Sequence, residues 1–152
     1  MTEPRQAATV LLLRDGTPGL EVYLLRRTPG MPFAGGMTAY PGGGVDPRDG
    51  GTDLAWSGPT PAAWAEAFGC DERTARELVC AAVRETFEEA GVLLAGVPGG
   101  DVVPDVSGDD WEEERQALLT RDLSLAELLA GRGLALRSDL LRPFAHWITP
   151  PV

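Results

Sequence analysis

The sequence has no lysine and no asparagine, one isoleucine (Ile148), one histidine (His146) and only two cysteines, Cys70 and Cys80. Two cysteines cannot build a disulfide framework, and nothing beside them resembles a zinc ligand set, so they read as buried or partly buried thiols of a reducing compartment. No apolar run reaches the roughly 18 residues of a membrane span, and the first residues lack the basic-then-apolar order of a signal peptide. The expectation is a soluble, cytoplasmic chain. Positive charge is also scarce: 13 basic residues stand against 23 acidic ones, for a net charge of −10. Long-range repulsion then excludes nucleic acid and anionic membranes as general partners. A small anionic substrate would need an arginine or a metal ion at the point of contact. All 13 basic residues are arginine, which together with the missing lysine and asparagine reads as the coding bias of a GC-rich genome, so the number of arginines carries no functional argument.

What is present is enough for one domain. A chain of 152 residues, 43% hydrophobic, buries roughly 70% of the surface its unfolded form exposes. Residues 7–13 (Ala-Ala-Thr-Val-Leu-Leu-Leu) have the length and flanks of a buried strand, and a turn at residues 14–19 leads to a second run at 20–25, predicting a hairpin. Residues 28–53 hold much of the glycine and proline and read as a long loop with a short strand at 37–40. Thr60-Pro61 predicts a helix start, with a short surface helix to Phe68. From Asp71 the residues Ala75, Leu78, Val79, Ala82, Val83, Thr86, Phe87 and Ala90 follow the i, i+3, i+4 pattern to a stop at Gly91, predicting the main helix. Residues 92–94 read as a strand leaving it, and 96–108 as turns. Helices are expected at 111–119 and, capped by Ser124, at 125–129; residues 134–136 and 144–148 read as extended.

The chemistry concentrates at the end of the main helix. Glu85, Glu88 and Glu89 fall within a sector of roughly 100° on the face opposite the apolar stripe. Like charges so spaced destabilise a helix, and two of them lie where the helix dipole is also unfavourable to negative charge. A solvated acidic face is one reading; a divalent cation held by oxygen ligands is the other. Arg84 can offset part of the repulsion by pairing with Glu88 or with Glu77.

The run Arg84-Glu85-Thr86-Phe87-Glu88-Glu89-Ala90-Gly91-Val92 resembles the second half of the Nudix box, whose pattern is Gly, five residues, Glu, seven residues, Arg-Glu-apolar-x-Glu-Glu-x-Gly-apolar. Tyr40-Pro41-Gly42-Gly43-Gly44-Val45-Asp46 resembles the entry to that box. The chain departs from the pattern by an insertion over residues 47–70 and by Arg76 standing eight places before Arg84, where the first glutamate belongs; Glu77 is one place off and could brace Arg84 instead. The tryptophan-bearing insertion and the Arg27-Thr28 pair resemble the coenzyme A and acyl-CoA diphosphatase branch of the family.

The resemblance implies an α/β (α+β) fold, a mixed sheet sandwiched between helices in a single domain over residues 1–152. It also implies metal-dependent hydrolysis of a diphosphate linkage in a nucleoside diphosphate joined to another group. The cofactor is Mg²⁺ or Mn²⁺, with Glu88 and Glu89 as leading ligands, Glu85 as ligand or base, and the Gly43 backbone alongside. Arg84 completes the catalytic set, and Arg26, Arg27 and Gly42 are assigned to the substrate. His146 and the four tryptophans, Trp56, Trp64, Trp111 and Trp147, read as packing or surface residues. Relatives continue with further strands, so the sheet is expected to be incomplete at its C-terminal side, or completed by a second chain or a homodimer. The alternatives are a non-catalytic domain that binds a nucleotide or protein partner, an inactive fragment of a longer hydrolase, and an unrelated α+β interaction module.

Overall fold

The computed structural model describes residues 4–30 and 35–148. Residues 31–34 of the expected loop, and the terminal segments 1–3 and 149–152, lie outside the described residues.

Helix α2 (Glu72–Ala90) is the axis of the fold. Asp71 caps it, accepting from Thr74 N at 2.9 Å, and Gly91 ends it in the left-handed conformation (φ 65°) that a residue with a Cβ adopts only at a cost. Its apolar stripe enters the core as the periodicity predicts: Ala75, Val79, Val83 and Phe87 are buried. Helices α1 (Pro61–Phe68), α3 (Asp109–Leu119) and α4 (Leu125–Arg132) supply Trp64, Leu118, Leu125, Leu128 and Leu129 to the same cluster. Each begins within two residues of the position read from the sequence, because the caps are local. Thr60 accepts from Ala63 N, and Ser124 exchanges two bonds with Glu127 in a capping box.

The strands are short and divided among small sheets. Strand β1 (Ala7–Thr9) pairs antiparallel with β6 (Gly42–Gly44), β2 (Leu13–Asp15) with β3 (Leu20–Val22), and β4 (Leu25–Arg26) with β5 (Thr38–Ala39). A three-stranded sheet joins β7 (Trp56–Ser57), β9 (Ala135–Arg137) and β8 (Ala95–Gly96), with β9 parallel to β7 and antiparallel to β8. Parallel and antiparallel pairing therefore occur together with helices, a mixed α+β fold.

Four expectations need correction. The first strand is not buried throughout: Val10 is, but Leu11 and Leu13 are exposed, since only one face of that ladder packs on α2. The triple glycine is not loop but strand β6, because its backbone pairs with β1. The strand after α2 lies at Ala95–Gly96 rather than 92–94, and residues 144–148 join no ladder. The insertion contains the helix expected from Thr60-Pro61, α1, together with a 3₁₀ turn (Pro47–Gly50) and β7, and Arg76 of α2 lies over the Trp56 ring, 5.8 Å from its centroid.

No helix among the described residues is long and apolar enough to cross a membrane. Both cysteines are free thiols, and burial pushes Cys80 up to about 12.

Candidate active site

Part of the polar side of α2, around Arg84 and Glu88, does not face solvent, while Glu89 stays exposed. That part faces β1, β6 and the 3₁₀ turn, so that Arg84 and Glu88 are buried, each 7% exposed. For Arg84 and Glu88 this removes the solvated-face reading: a guanidinium and a carboxylate are kept out of water only when each is paired.

The pairing is dense. Arg84 Nε and Nη2 donate to the two carboxylate oxygens of Asp49, both at 3.0 Å, in a bidentate fork. Nη2 also donates to the Gly44 carbonyl at 3.0 Å. Nη1 donates to Glu85 Oε1 at 2.7 Å and to both Glu88 oxygens at 3.2 Å. Every nitrogen of the guanidinium is therefore engaged, and its hydrogens are directed at defined acceptors. Burial alone would weaken the charged form of Arg84; the pairs with Asp49 and Glu85 outweigh that and hold its pKa above the ordinary value.

Asp49 was missed in the sequence. Counted backward from Arg84 across the insertion, the spacing of the pattern ends on Arg76, which is no acid. Counted forward from Gly43, the glycine, five residues, acid spacing ends on Asp49. Glu77 does not substitute for it: it pairs with Arg73 at 2.9 Å and takes no part in the Arg84 network. Arg84 pairs instead with Glu88, as one of the two readings had it.

Local sequence explains why Asp49 is aimed inward. Asp46-Pro47-Arg48-Asp49 forms a capping box around the 3₁₀ turn. Asp46 accepts from Arg48 N at 2.9 Å, and Asp49 Oδ2 accepts from Asp46 N at 2.8 Å. The oxygen that meets Arg84 Nη2 is thus also held by the turn's own backbone. A side-chain bond from Arg48, chiefly, keeps Asp46 at about 2, below its ordinary 3.8. With its folded pKa lowered, Asp46 contributes stability that is fully present above pH 3.8 and lost as pH falls toward 2. Thermal unfolding of wild type and Asp46→Asn between pH 5 and 2.5 should show the wild-type advantage shrinking through that window. A difference in Tm that is constant with pH would refute the role.

Glu89 is set apart from the Arg84 network. Its Oε2 accepts from Gly42 N at 2.9 Å, tying the end of α2 to β6. Burial, and the proximity of Glu85, raise the pKa of both Glu88 and Glu89, against the favourable charge of Arg84 on the first and the Gly42 bond and Arg27 charge on the second. Arg27 is half-buried with its Nε buried and without a partner among the described residues. Arg26 alternates with it along the strand, is exposed, and takes no part in the network. Gly43 lies against Glu85: a Cβ there would be 2.5 Å from Glu85 Oε1.

From α3, Arg115 donates to the Glu88 backbone carbonyl. A cation on the last carbonyls of a helix offsets the negative end of its dipole, here beneath the crowded carboxylates. Nothing in the sequence placed Arg115 there, because α3 docks on α2 only in the tertiary fold. His146 and Trp147 are exposed, whereas Trp56, Trp64 and Trp111 pack in or against the core, and none of them joins the Arg84 network.

The arrangement thus places Glu85, Glu88, Glu89 and Gly43 around one end of α2. Among the described residues no group of three or more His, Cys, Asp or Glu side chains is gathered onto one point as a metal-ligand set. Glu85 and Glu88 turn to Arg84 and Glu89 to Gly42.

No protein-family profile matches the chain, and no curated protein does. Among solved structures it is similar to the crystal structure of a NUDIX hydrolase from Alicyclobacillus acidocaldarius, with a TM-score of 0.75 and 32% sequence identity. The likeness covers 99% of this chain and 64% of that one, so this chain spans just under two thirds of its neighbour's length. The two share the mixed α+β fold.

Proposed function

We propose that this chain is a Nudix hydrolase that cleaves a diphosphate linkage in a nucleoside diphosphate derivative, using a divalent cation, Mg²⁺ or Mn²⁺. The observation that carries the reading is the buried Asp49–Arg84–Glu85–Glu88 network set against a glycine strand. It lies in a chain 32% identical to a NUDIX hydrolase.

The donor chemistry suits a hard cation. Three carboxylates, Asp49, Glu85 and Glu88, surround one guanidinium, and Glu89 adds a fourth, more negative charge than Arg84 neutralises. Oxygen-rich, negatively charged sites are what divalent cations favour. Glu88 and Glu89 would hold the ion, with Glu85 as a further ligand or as the base that takes the water's proton. The bound cation would neutralise diphosphate charge and favour ionisation of water.

The remaining residues position. Asp49 and the Gly44 carbonyl lock Arg84, and Arg84 holds Glu85 and Glu88 in place. Gly43 leaves room for the Glu85 carboxylate, and Arg27 supplies the positive charge an anionic substrate needs in an acidic chain. Hydrolysis joins the water oxygen to one phosphorus as that atom's bond to the bridging oxygen breaks. We assign the substrate to the coenzyme A or acyl-CoA class on the insertion before α2 and the Arg27-Thr28 pair. A second reading, a domain that binds a nucleotide without cleaving it, is favoured by one observation: Arg84 occupies the carboxylates of Glu85 and Glu88.

Mass spectrometry of coenzyme A, acetyl-CoA, ADP-ribose, NADH and diadenosine polyphosphates incubated with the chain and Mg²⁺ or Mn²⁺ decides between them. Cleavage is expected, lost with a chelator and reduced to that control level in Glu88→Gln. Release of 3′,5′-ADP and a phosphopantetheine product would assign the coenzyme A class. Binding without cleavage, by a folded chain, would establish the second reading.

A further inference from the structure

We propose that Arg115 is a positioning residue of the cation site: it reaches from α3 to the last turn of α2 and fixes the backbone from which Glu88 and Glu89 project. The proposal rests on the reading of those two glutamates as the cation's ligands, and it adds a residue outside the box to the set that holds them.

A helix end leaves its last carbonyls without intrahelical donors, and such ends fray unless something ties them. Helix α2 stops at Ala90, where Gly91 N donates to the Phe87 carbonyl. The next carbonyl, that of Glu88, would be answered by residue 92 only if the helix continued. Arg115 Nη1 donates to it instead. Glu88 is therefore held at both ends, its carbonyl by Arg115 and its carboxylate by Arg84 at 3.2 Å. The oxygen that Arg115 grips belongs to the peptide joining Glu88 to Glu89, whose own carboxylate is tied to Gly42 N. A rotation of that peptide would move both carboxylates, and the bond from Arg115 opposes it.

The guanidinium is aimed before it meets α2. Its Nε and Nη2 donate to the two oxygens of Glu112, both at 2.7 Å, and Gln116 donates to Glu112 Oε1 at 2.8 Å. That fork uses one edge of the planar group and leaves Nη1 directed at α2. Helix α3 is in turn seated on α2 by the edge-on contact of Trp111 with Phe87, the residue before Glu88, with ring centroids 6.2 Å apart, and Leu118 joins the core. Core packing thus sets the reach from α3 to the carbonyl.

Charge and position make opposite demands on the cation. A guanidinium near a cation site repels the ion, so by charge alone removing Arg115 would tighten binding. Positioning requires the reverse: binding weakens, because the last turn loosens and the carboxylates disperse.

Titration of the full chain with Mn²⁺, read by electron paramagnetic resonance of the free ion without substrate, gives the sign. Arg115→Ala should bind Mn²⁺ roughly 10–100-fold more weakly, the range for groups that orient metal ligands. Arg115→Met keeps the apolar stem and its packing and should show the same loss even where Arg115→Ala does not fold. Arg115→Lys keeps the charge and a donor and should recover part of the affinity. In the metal-free chain, amide hydrogen exchange in Arg115→Met should quicken at residues 88–91 and stay as in wild type at residues 79–83. Unchanged or tighter Mn²⁺ binding in Arg115→Met overturns the proposal and leaves the reading of the glutamates standing. Faster exchange along the whole of α2 overturns it too, because Arg115 then supports the fold rather than the turn. A folded wild type that binds no Mn²⁺ overturns the reading of Glu88 and Glu89, and the proposal with it.

Discussion

Replacing Asp49 by alanine is expected to destabilise the chain by about 3–5 kcal/mol, the cost of leaving a buried charge without its partner. Arg84 is 7% exposed and gives two of its bonds to Asp49, which is itself 4% exposed. Without that carboxylate, Arg84 Nε has no acceptor, and water cannot reach it without opening the packing between α2 and the 3₁₀ turn. For a domain of this size the loss corresponds to a fall in Tm on the order of 10 °C. Glu77→Ala is the decisive comparison. Its pair with Arg73 is an i,i+4 contact whose arginine side chain is 82% exposed, so its removal should cost less than about 1 kcal/mol. Urea denaturation of both variants tests the assignment: equal costs would show that Asp49 is not the acid that braces Arg84. Activity should fall with Asp49→Ala by roughly 10–100-fold, since residues that orient metal ligands carry effects of that size.

Two adjacent glycines should respond oppositely to the same substitution. A Cβ at Gly42 meets the Ala8 carbonyl oxygen and the Thr9 Cα, the latter at 2.7 Å; both belong to the paired β1 backbone, which cannot move without breaking the ladder. Gly42→Ala should therefore cost about 1–3 kcal/mol, as overpacking does, and should also loosen the bond from Gly42 N to Glu89. The three atoms nearest a Cβ at Gly43 all belong to the carboxylate end of Glu85, at 2.5–2.7 Å. That end can rotate away, so Gly43→Ala should change Tm little while displacing Glu85 from Arg84. Thermal unfolding and Mn²⁺ binding measured on both variants separate the effects. The expected outcome is lost stability for Gly42→Ala, and weakened metal binding at near-normal Tm for Gly43→Ala. The reverse pattern would mean that β1 yields and Glu85 does not.

Much of this protein is local and was legible without coordinates. Helix α2 follows from the spacing of Ala75, Val79, Val83 and Phe87 between Asp71 and Gly91, because a cap, a 3.6-residue period and a left-handed glycine all act within the segment itself. Helices α1 and α4 follow from Thr60-Pro61 and Ser124 for the same reason. The crowding of Glu85, Glu88 and Glu89 is a property of one helix turn, and so it too was readable.

What local pattern could not determine is what lies opposite each surface. Periodicity assigns Arg84 and Glu88 to a polar face; only the packing of β1, β6 and the 3₁₀ turn on that face makes it an interior, where every charge requires a partner. Asp49 reaches Arg84 across 35 residues of sequence, most of them insertion, so counting backward from the helix ended on the wrong residue. Arg115 reaches the end of α2 from a helix whose docking depends on the whole core. The triple glycine reads as loop because glycine is a weak strand former, yet pairing with β1 holds it extended, and a side chain would meet the β1 backbone at Gly42 and the Glu85 carboxylate at Gly43. Sequence alone determined the helices and the acids they carry. The tertiary structure decided which of those acids are buried and which cation answers them, because each depends on groups brought together only when the chain is folded.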